Sequence, residues 1–298
     1  MTIIPTFVPN LLRVQRMNKK NILRIAAAVS AALLLGGFYV YFKDDIAQEK
    51  AENDLLPFRP IMVSEGILDD ISDDLMETTV AETTAVNVSY MTDDEASLTT
   101  TASDTIPDEV RQSLMESAQS LNDAYPDAIG WLYIPNTNIS YPVTQGRDNE
   151  YYLSHAYDGS SLKAGTIFLD YRCENRFMNP VNILYGHSMK NGTMFAGVLN
   201  FADSSYFDSH RYGWLSTPET VYRIDFFSCA KTDSNDELYN GNTPITEWIP
   251  HILEKSAVQH EIEYTDNDRF ISLSTCSYEF KNARTVLTGR LVEMTGGR

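Results

Sequence analysis

Short runs of β-branched and aromatic residues, separated by Gly, Pro, Asn and Asp, fill the sequence from Trp131 onward. Runs of this length with turn-forming residues between them are typical of β-strands. The sequence therefore predicts an all-β core with helices on its periphery. The predicted strands are 129–134, 139–144, 165–170, 181–186, 221–230, 270–276 and 284–293, and helices are predicted near 149–155, 192–200 and 244–256.

The segment before these strands is predicted to be a helix. Between Pro107 and Ala124, apolar residues recur at helical spacing, and two acidic residues follow Pro107 directly. A proline at the start and acidic residues in the first turn are typical of a helix N-terminus. We expect this N-terminal helix to pack on the β core.

A long connection joins the predicted strand that ends near Thr232 to the one that begins near Arg269. It is too long to be a structureless loop in a compact domain. Its middle has helical character despite Pro250. The connection is therefore expected to be an insertion that carries a helix.

The N-terminal residues 1–43 carry six basic side chains and no acidic one. No charge occurs from Ile25 to Phe42, a run about as long as the shortest bilayer span, and snorkelling of Arg24 extends it. The basic residues precede the span, which places the N-terminus in the cytoplasm. We predict a cytoplasmic tail over 1–21 and a transmembrane anchor over 22–42. A cleaved signal peptide is the alternative, but the run is long for one and no small-residue cleavage pattern follows.

The next stretch, residues 43–106, is rich in Asp, Glu, Thr and Ser and poor in aromatic residues. Residues 44–124 hold twenty acidic and three basic side chains, and so account for most of the net charge of −18. Such a composition cannot bury enough apolar surface to offset the entropy of ordering the chain. We predict a disordered tether with a reach of roughly 45 Å, followed by a folded domain over 107–298. The apolar patch at 55–58 is the one candidate for a local contact.

Cys276 closes a run in which polar and apolar side chains alternate, so that one strand face carries Ser272, Ser274 and Cys276. A thiol at the end of a polar face is accessible, and an accessible thiolate is a nucleophile. A lone cysteine is more often structural than catalytic. The presence of His187 and Arg284 favours the catalytic interpretation.

Several motifs, in this order along the chain, resemble those of the class B sortases. They are Tyr141-Pro142-Val143, Asp148-Asn149-Glu150-Tyr151-Tyr152-Leu153, Ala164-Gly165-Thr166-Ile167-Phe168-Leu169-Asp170, Tyr185-Gly186-His187, Ser274-Thr275-Cys276 and Arg284-Thr285-Val286-Leu287. The resemblance runs from about Ile129 to Val292. It implies that 107–298 is a catalytic domain, a closed sortase-type β-barrel of seven to eight strands. In that family the helix-bearing insertion before the cysteine strand helps to form the groove that binds the sorting signal.

The resemblance implies a membrane-anchored cysteine transpeptidase. Cys276 would attack a peptide carbonyl of a C-terminal sorting motif and form a thioester. His187 is suited to protonating the departing amine, because the unperturbed pKa of a histidine side chain lies near working pH. Arg284 would stabilise the oxyanion or position the substrate backbone. An amine of a cell-wall precursor would then resolve the thioester, and no step requires a metal or another cofactor.

Three residues are predicted to contact the substrate. Ser274 shares a strand face with Cys276 and lies about 6–7 Å along it. Asn149 and Leu153, four apart on a predicted helix, match family positions that line the groove. The competing interpretation is that Leu153 is a core residue and Asn149 a helix cap.

Each catalytic candidate also has a structural interpretation. His187 could cap a loop, and Arg284 could form a surface bridge with Glu279 or Asp225, which would contribute little stability. Arg290 rivals Arg284, because period two places both on one face of the same strand. The other four histidines have no comparable context, and surface roles are expected for them.

The predicted partners are secreted proteins with a sorting motif, the peptidoglycan precursor amine and, through the N-terminal helix, the membrane; no nucleic acid is expected. The catalytic domain would face the cell wall. Three alternatives stay open: a sortase that polymerises pilins through a lysine amine, a cysteine peptidase that hydrolyses its thioester, and a non-catalytic surface binding module. Whether Cys173 and Cys229 form a disulfide is not decided by the sequence.

Overall fold

The computed structural model describes residues 43–60, 67–73, 104–241, 243–277 and 279–297. The chain divides into two compact units, Met1–Ala47 and Gln48–Arg298. In the first unit the described residues, 43–47, are helical. The predicted anchor over 22–42 and the tail over 1–21 lie outside the described residues. A helix with the length and apolar character to cross a bilayer is not found among the described ranges.

Eight strands of the second unit close into a mixed β-barrel, which confirms the predicted fold class. The strands of the chain are β1 (Thr105–Pro107), β2 (Ala128–Tyr133), β3 (Ser140–Thr144), β4 (Ile167–Leu169), β5 (Val181–Tyr185), β6 (Tyr212–Ser216), β7 (Val221–Asp233), β8 (Ser256–Gln259), β9 (Arg269–Cys276), β10 (Ala283–Glu293) and β11 (Thr295–Gly297). The order around the barrel is β10-β9-β5-β4-β3-β2-β6-β7, and pairing of β10 with β7 closes the ring. Within the barrel the β3–β4 and β5–β9 pairs are parallel and the other pairs are antiparallel.

Closure of the barrel depends on the length of β7. Its first half pairs with β6 and its second half with β8 along one edge, while β10 pairs along the whole of the other edge. A closed barrel leaves no long unpaired edge, and apolar side chains fill its interior. Fully buried residues come from strands all around the ring, including Leu132, Val143, Ile167, Leu184, Leu215, Ile224, Leu273 and Leu287.

Helices and 3₁₀ turns accompany the strands. Residues 43–54 and 67–73 are helical. The α-helices that follow them are α1 (Asp108–Ala124), α2 (Ser204–Asp208) and α3 (Ile245–Glu254), and 3₁₀ turns occur at Leu56–Phe58, Tyr151–Leu153, Phe195–Ala202 and Glu237–Tyr239. The predicted N-terminal helix is confirmed, because α1 buries Val110, Leu114, Ala118 and Leu121. The predicted helix in the insertion is α3, which packs Trp248 and Ile252 against Phe270 of β9 and Val286 of β10.

Some elements differ from the sequence-based prediction. The helices predicted near 149–155 and 192–200 are 3₁₀ turns in the structure. Short 3₁₀ segments are common as connectors between other elements. Strands β1, β6, β8 and β11 were not predicted. β6 is short and contains Gly213, and a glycine weakens the sequence signal for a strand. The glycine has a packing reason, because a Cβ there would lie 3.1 Å from the ring of Phe226.

Residues 48–60 and 67–73 differ from the predicted disordered tether, because both segments pack on the barrel unit. Leu55 is 8% exposed and Leu68 is fully buried. The indole Nε1 of Trp214 donates a hydrogen bond of 3.0 Å to Ser72 Oγ. In the patch at 55–58 only Leu55 is buried, and the composition of the stretch as a whole gave no sign of these contacts. Residues 61–66 and 74–103 of the predicted tether lie outside the described residues.

Candidate active site

The hairpin of β9 and β10 brings Cys276 and Arg284 together. Cys276 is the last residue of β9 and stands opposite Arg284 in the antiparallel register, a pairing with Cα atoms about 5 Å apart and side chains on one face. Cys276 is a free, half-buried thiol. The Arg284 guanidinium donates to the carbonyl of Ala283 at 3.0 Å. The hairpin therefore makes Arg284 the cross-strand neighbour of Cys276.

Glu279 and Asp225, the two alternative partners of Arg284, form ion pairs with other residues. Glu279 pairs with Lys231 at 2.8 Å, and Asp225 pairs with Arg223 at 2.6 Å. Arg290 stands opposite Phe270 in the β9–β10 register, six residues and roughly 20 Å along the strand from Arg284. Its guanidinium bonds to the carbonyl of Glu263. Arg284 is thus the arginine beside Cys276.

The parallel pair of β5 and β9 brings His187 to the same end of the barrel. Tyr185 pairs with Ser274, and beyond it the amide of Gly186 donates to Ser274 O at 3.2 Å. Thr275 Oγ1 also donates to Gly186 O at 2.9 Å. His187 lies two residues past Tyr185, the last residue of β5, just as Cys276 lies two residues past Ser274. His187 therefore follows β5 at the end of the barrel where β9 carries Cys276 and β10 carries Arg284.

Local sequence explains how the chain leaves β5 at this point. A Cβ at Gly186 would lie 2.4 Å from Ile167 Cδ1 and 2.8 Å from the Phe195 ring. Glycine is therefore required for close passage of the chain before His187. The carbonyl of His187 accepts a 2.9 Å bond from the amide of Phe195, which closes the loop that follows.

The ring of His187 has a defined partner. Its Nε2 lies 2.8 Å from the carbonyl oxygen of Leu153. A carbonyl only accepts hydrogen bonds, so Nε2 carries the proton and Nδ1 is the other ring nitrogen, protonated only in the imidazolium. The half-buried imidazole thus holds a proton at Nε2 next to the turn Tyr151–Leu153.

The three predicted substrate contacts differ in accessibility. Ser274 is 2% exposed, and its Oγ is 2.8 Å from the hydroxyl of Tyr239. Leu153 is 38% exposed, so it is not a core residue. Asn149 is half-buried, donates from Nδ2 to Asp170 at 3.0 Å and accepts from the amide of Tyr171 at 3.0 Å. Leu153 therefore borders the site, while Ser274 lies beneath Tyr239.

Tyr239, which the sequence-based predictions missed, covers the end of β9. It belongs to the 3₁₀ turn Glu237–Tyr239 in the insertion between β7 and β8. Its ring stacks on that of Tyr185 with 6.2 Å between centroids. Burial raises the pKa of Tyr239 to about 12, while the hydrogen bond to Ser274 and the charge of Arg284 oppose the shift. No motif marked this residue, because its position depends on how the insertion folds over the barrel.

Asp170 and Arg172 were also missed as members of the site. Asp170 is 1% exposed and accepts from Arg172 Nε at 2.8 Å, from Arg172 Nη2 at 2.6 Å and from Tyr185 Oη at 3.0 Å. Burial would raise the pKa of Asp170, but the hydrogen bonds from Arg172, Asn149 and Tyr185 outweigh it and hold the pKa below its ordinary value. Asp170 is the last residue of the motif at 164–170, which is the sequence signal that could have identified it.

The three cysteines are all free thiols, so Cys173 and Cys229 do not form a disulfide. Cys229 is buried in β7, and burial raises the pKa of its thiol to about 12. Burial likewise raises the pKa of the Cys173 thiol. In the described part of the chain, no group of three or more His, Cys, Asp or Glu side chains is arranged to hold a metal ion.

Comparisons with known proteins identify relatives of this chain. Sortase B of Listeria monocytogenes is 34% identical over 190 residues, which make up 62% of this chain and 76% of the relative. Sortase B of Staphylococcus aureus is 27% identical over 183 residues, 59% of this chain and 75% of the relative. No model of a known protein family matches the chain.

Solved structures show the same fold. A Staphylococcus aureus sortase B–substrate complex gives a TM-score of 0.57 at 26% identity and covers 61% of this chain and 87% of that chain. A Streptococcus pyogenes class B sortase involved in pilus biogenesis gives a TM-score of 0.55 at 30% identity, with 58% and 96% covered. The barrel and these relatives define a cysteine transpeptidase of the sortase type. The chain belongs to the class B sortases.

Proposed function

We propose that this sortase joins a secreted protein to an amine of a cell-wall precursor, with Cys276 as nucleophile, His187 as proton donor and Arg284 as oxyanion partner. The observation that supports the proposal is that Cys276 and Arg284 pair across β9 and β10, while His187 follows the end of β5, the parallel neighbour of β9. A substrate complex of a Staphylococcus aureus sortase B has the same fold, which supports substrate binding by this barrel.

The first half-reaction makes a thioester. The Cys276 thiolate adds to the carbonyl carbon of the scissile peptide bond, and the charge that develops on oxygen is stabilised by the Arg284 guanidinium. Collapse of this intermediate breaks the C–N bond. His187 acts here as the imidazolium: its Nε2 proton passes to the departing amine, which leaves a neutral ring protonated at Nδ1. This transfer requires exchange of the Leu153 carbonyl for the substrate nitrogen.

The second half-reaction makes the new amide. An incoming amine adds to the thioester carbonyl, and Cys276 leaves as thiolate. The neutral His187 takes up the proton that the attacking amine loses, which restores the starting state. Binding of an amine in place of water decides between ligation and hydrolysis.

The N-terminal part of the chain is proposed to hold the enzyme at the membrane. Residues 22–42 would form the anchor and residues 1–21 its cytoplasmic tail. The proposal rests on the uncharged run and on the basic residues that precede it. The catalytic domain, 107–298, would then lie outside the cell and face the wall.

A second acceptor is a lysine side chain of a pilin. This candidate is favoured by the likeness to a Streptococcus pyogenes class B sortase involved in pilus biogenesis. The two functions share the thioester and differ in the amine that resolves it.

Product analysis tests the proposal. Fragment 48–298 is incubated with a library of sorting-motif peptides and with either triglycine, a peptidyl lysine or no added amine. We expect cleavage of at least one motif and an amide adduct with one amine. Exclusive hydrolysis in every mixture would contradict ligation, and absence of cleavage of every peptide would favour a binding module.

A further inference from the structure

A closed ring of contacts lies beside the row of candidate catalytic residues. Asp170 binds the hydroxyl of Tyr185, and Tyr185 pairs with Ser274 across the parallel strands. Ser274 Oγ bonds to the hydroxyl of Tyr239. The carbonyl of Tyr239 accepts a 3.0 Å bond from Arg172 Nη2, and the same guanidinium grips Asp170.

Two members of this ring of contacts lie two positions before proposed catalytic residues in the sequence. Tyr185 precedes His187 by two positions, and Ser274 precedes Cys276 by two positions. Strand residues two apart lie on the same face. A movement of the Tyr239 turn therefore displaces a side chain that contacts Ser274, two residues before Cys276.

The two ends of the turn Glu237–Tyr239 are held differently. At its start, Asp236 accepts from His251 at 2.6 Å and from Lys255 at 2.8 Å, which ties the turn to its own insertion. At its end, Tyr239 is tied to the barrel through Arg172 and Ser274. Arg172 therefore links the insertion to the barrel wall.

The geometry suits Arg172 to this task. Asp170 is 1% exposed and binds Arg172 through two side-chain donors, so the guanidinium plane is fixed. The side chain of Arg172 is nevertheless 45% exposed, and its Nη2 also reaches the carbonyl of Tyr239 in the insertion. A lysine could keep one contact with Asp170 but has no planar fork to serve both partners at once.

We propose that Arg172, clamped by Asp170, is a positioning residue that fixes the Tyr239 turn against the barrel and thereby sets the affinity for the peptide that donates the acyl group. This inference rests on the proposed function, since it assumes that the donor peptide binds beside Cys276, next to the Tyr239 turn. Arg172 acts through the turn and does not take part in bond making. Its removal weakens binding of the peptide more than it slows the chemical step.

The test compares Arg172→Ala and Arg172→Lys with Arg176→Ala in fragment 48–298. Arg176 is four residues further on and pairs with Glu219 at the surface, so it provides the same chemical change outside the ring. We expect Arg172→Ala to raise KM for the peptide by about tenfold, the loss of one hydrogen bond to a charged donor, with kcat within about threefold. Arg172→Lys falls between wild type and Arg172→Ala, and Arg176→Ala matches wild type.

A second measurement does not depend on turnover. Hydrogen exchange of the amides of 237–241 is expected to be faster in Arg172→Ala than in wild type and Arg176→Ala. Unchanged exchange, or faster exchange with an unchanged KM, would overturn the inference. So would a fall in kcat at constant KM, because it would place Arg172 in the chemistry.

A double variant identifies the route of the effect. If Arg172 acts through the turn, Arg172→Ala combined with Tyr239→Phe raises KM by less than the product of the single effects. Full additivity would overturn the inference. Absence of turnover in wild type would instead count against the proposed function, while the exchange data would still decide whether Arg172 holds the turn.

Discussion

At the scale of single residues, the proposed chemistry depends on which groups stand next to the Cys276 sulfur. Strand register supplies Arg284, which faces Cys276 across the hairpin, and His187 follows the end of the neighbouring parallel strand. The carbonyl of Leu153 accepts a hydrogen bond from Nε2 of His187. In the proposed reaction the substrate nitrogen replaces that carbonyl.

The role of Arg284 is tested by a change that keeps the charge. Arg284→Lys retains a cation but loses the planar fork that an oxyanion or a peptide carbonyl engages. We expect kcat/KM for the sorting peptide to fall roughly 10- to 100-fold. Arg290→Lys, on the same strand but far from Cys276, should stay within about twofold. Equal losses in the two variants would show that Arg284 has no special role.

Much of this site follows from sequence and some of it does not. Cys276, His187 and Arg284 lie in motifs at strand ends, so alternation and motif order were enough to single them out. Tyr239 and Arg172 meet only because the insertion folds back over β9, a contact between positions 67 residues apart. Alternation within one strand carries no information on such a contact.

At the scale of secondary-structure elements, the long strands were predictable because their side chains alternate over many residues. The short strands β6 and β8 lack that alternation over a sufficient length, and their partners on β7 determine them instead. The segments 48–60 and 67–73 show the same limit. Their few apolar residues, such as Leu55 and Leu68, are buried by contacts with residues distant in the sequence, which a local pattern does not reveal.

Packing of the 67–73 segment predicts a measurable stability. Leu68 is fully buried, and Leu56 is 59% exposed. Leu68→Ala in fragment 48–298 should lower the free energy of unfolding by about 2–5 kcal/mol, whereas Leu56→Ala should change it by less than about 0.5 kcal/mol. Urea denaturation measures both. A neutral Leu68→Ala variant would mean that this segment does not pack in solution.

The loop after Cys276 is expected to weaken in acid. A hydrogen bond from Lys231 lowers the pKa of Glu279 from 4.5 to about 2. Because the folded-state pKa is the lower one, this contribution to stability is fully present above about pH 4.5 and is lost as the pH falls towards 2. The difference in unfolding free energy between wild type and Glu279→Gln should therefore shrink from pH 5 to pH 3. A constant difference over that range would refute this pairing, and Lys231→Met should behave like Glu279→Gln.

At the scale of the whole molecule, the closed barrel and the insertion have separate tasks. The barrel fixes β5, β9 and β10 in register, and closure through β7 and β10 leaves their shared end as the place where the candidate residues meet. The insertion places Tyr239 over Ser274 of β9. The proposed acyl transfer assigns the thioester to the barrel and the hold on the peptide to the insertion.

The most direct test of this account is the intact mass of the enzyme during turnover of a cleaved sorting peptide. We predict an acyl adduct that maps to Cys276 in wild type and in Cys173→Ser, disappears when an amine is added, and is absent from Cys276→Ala together with all turnover. An adduct on Cys173 or Cys229, or peptide cleavage that persists in Cys276→Ala, would contradict the account.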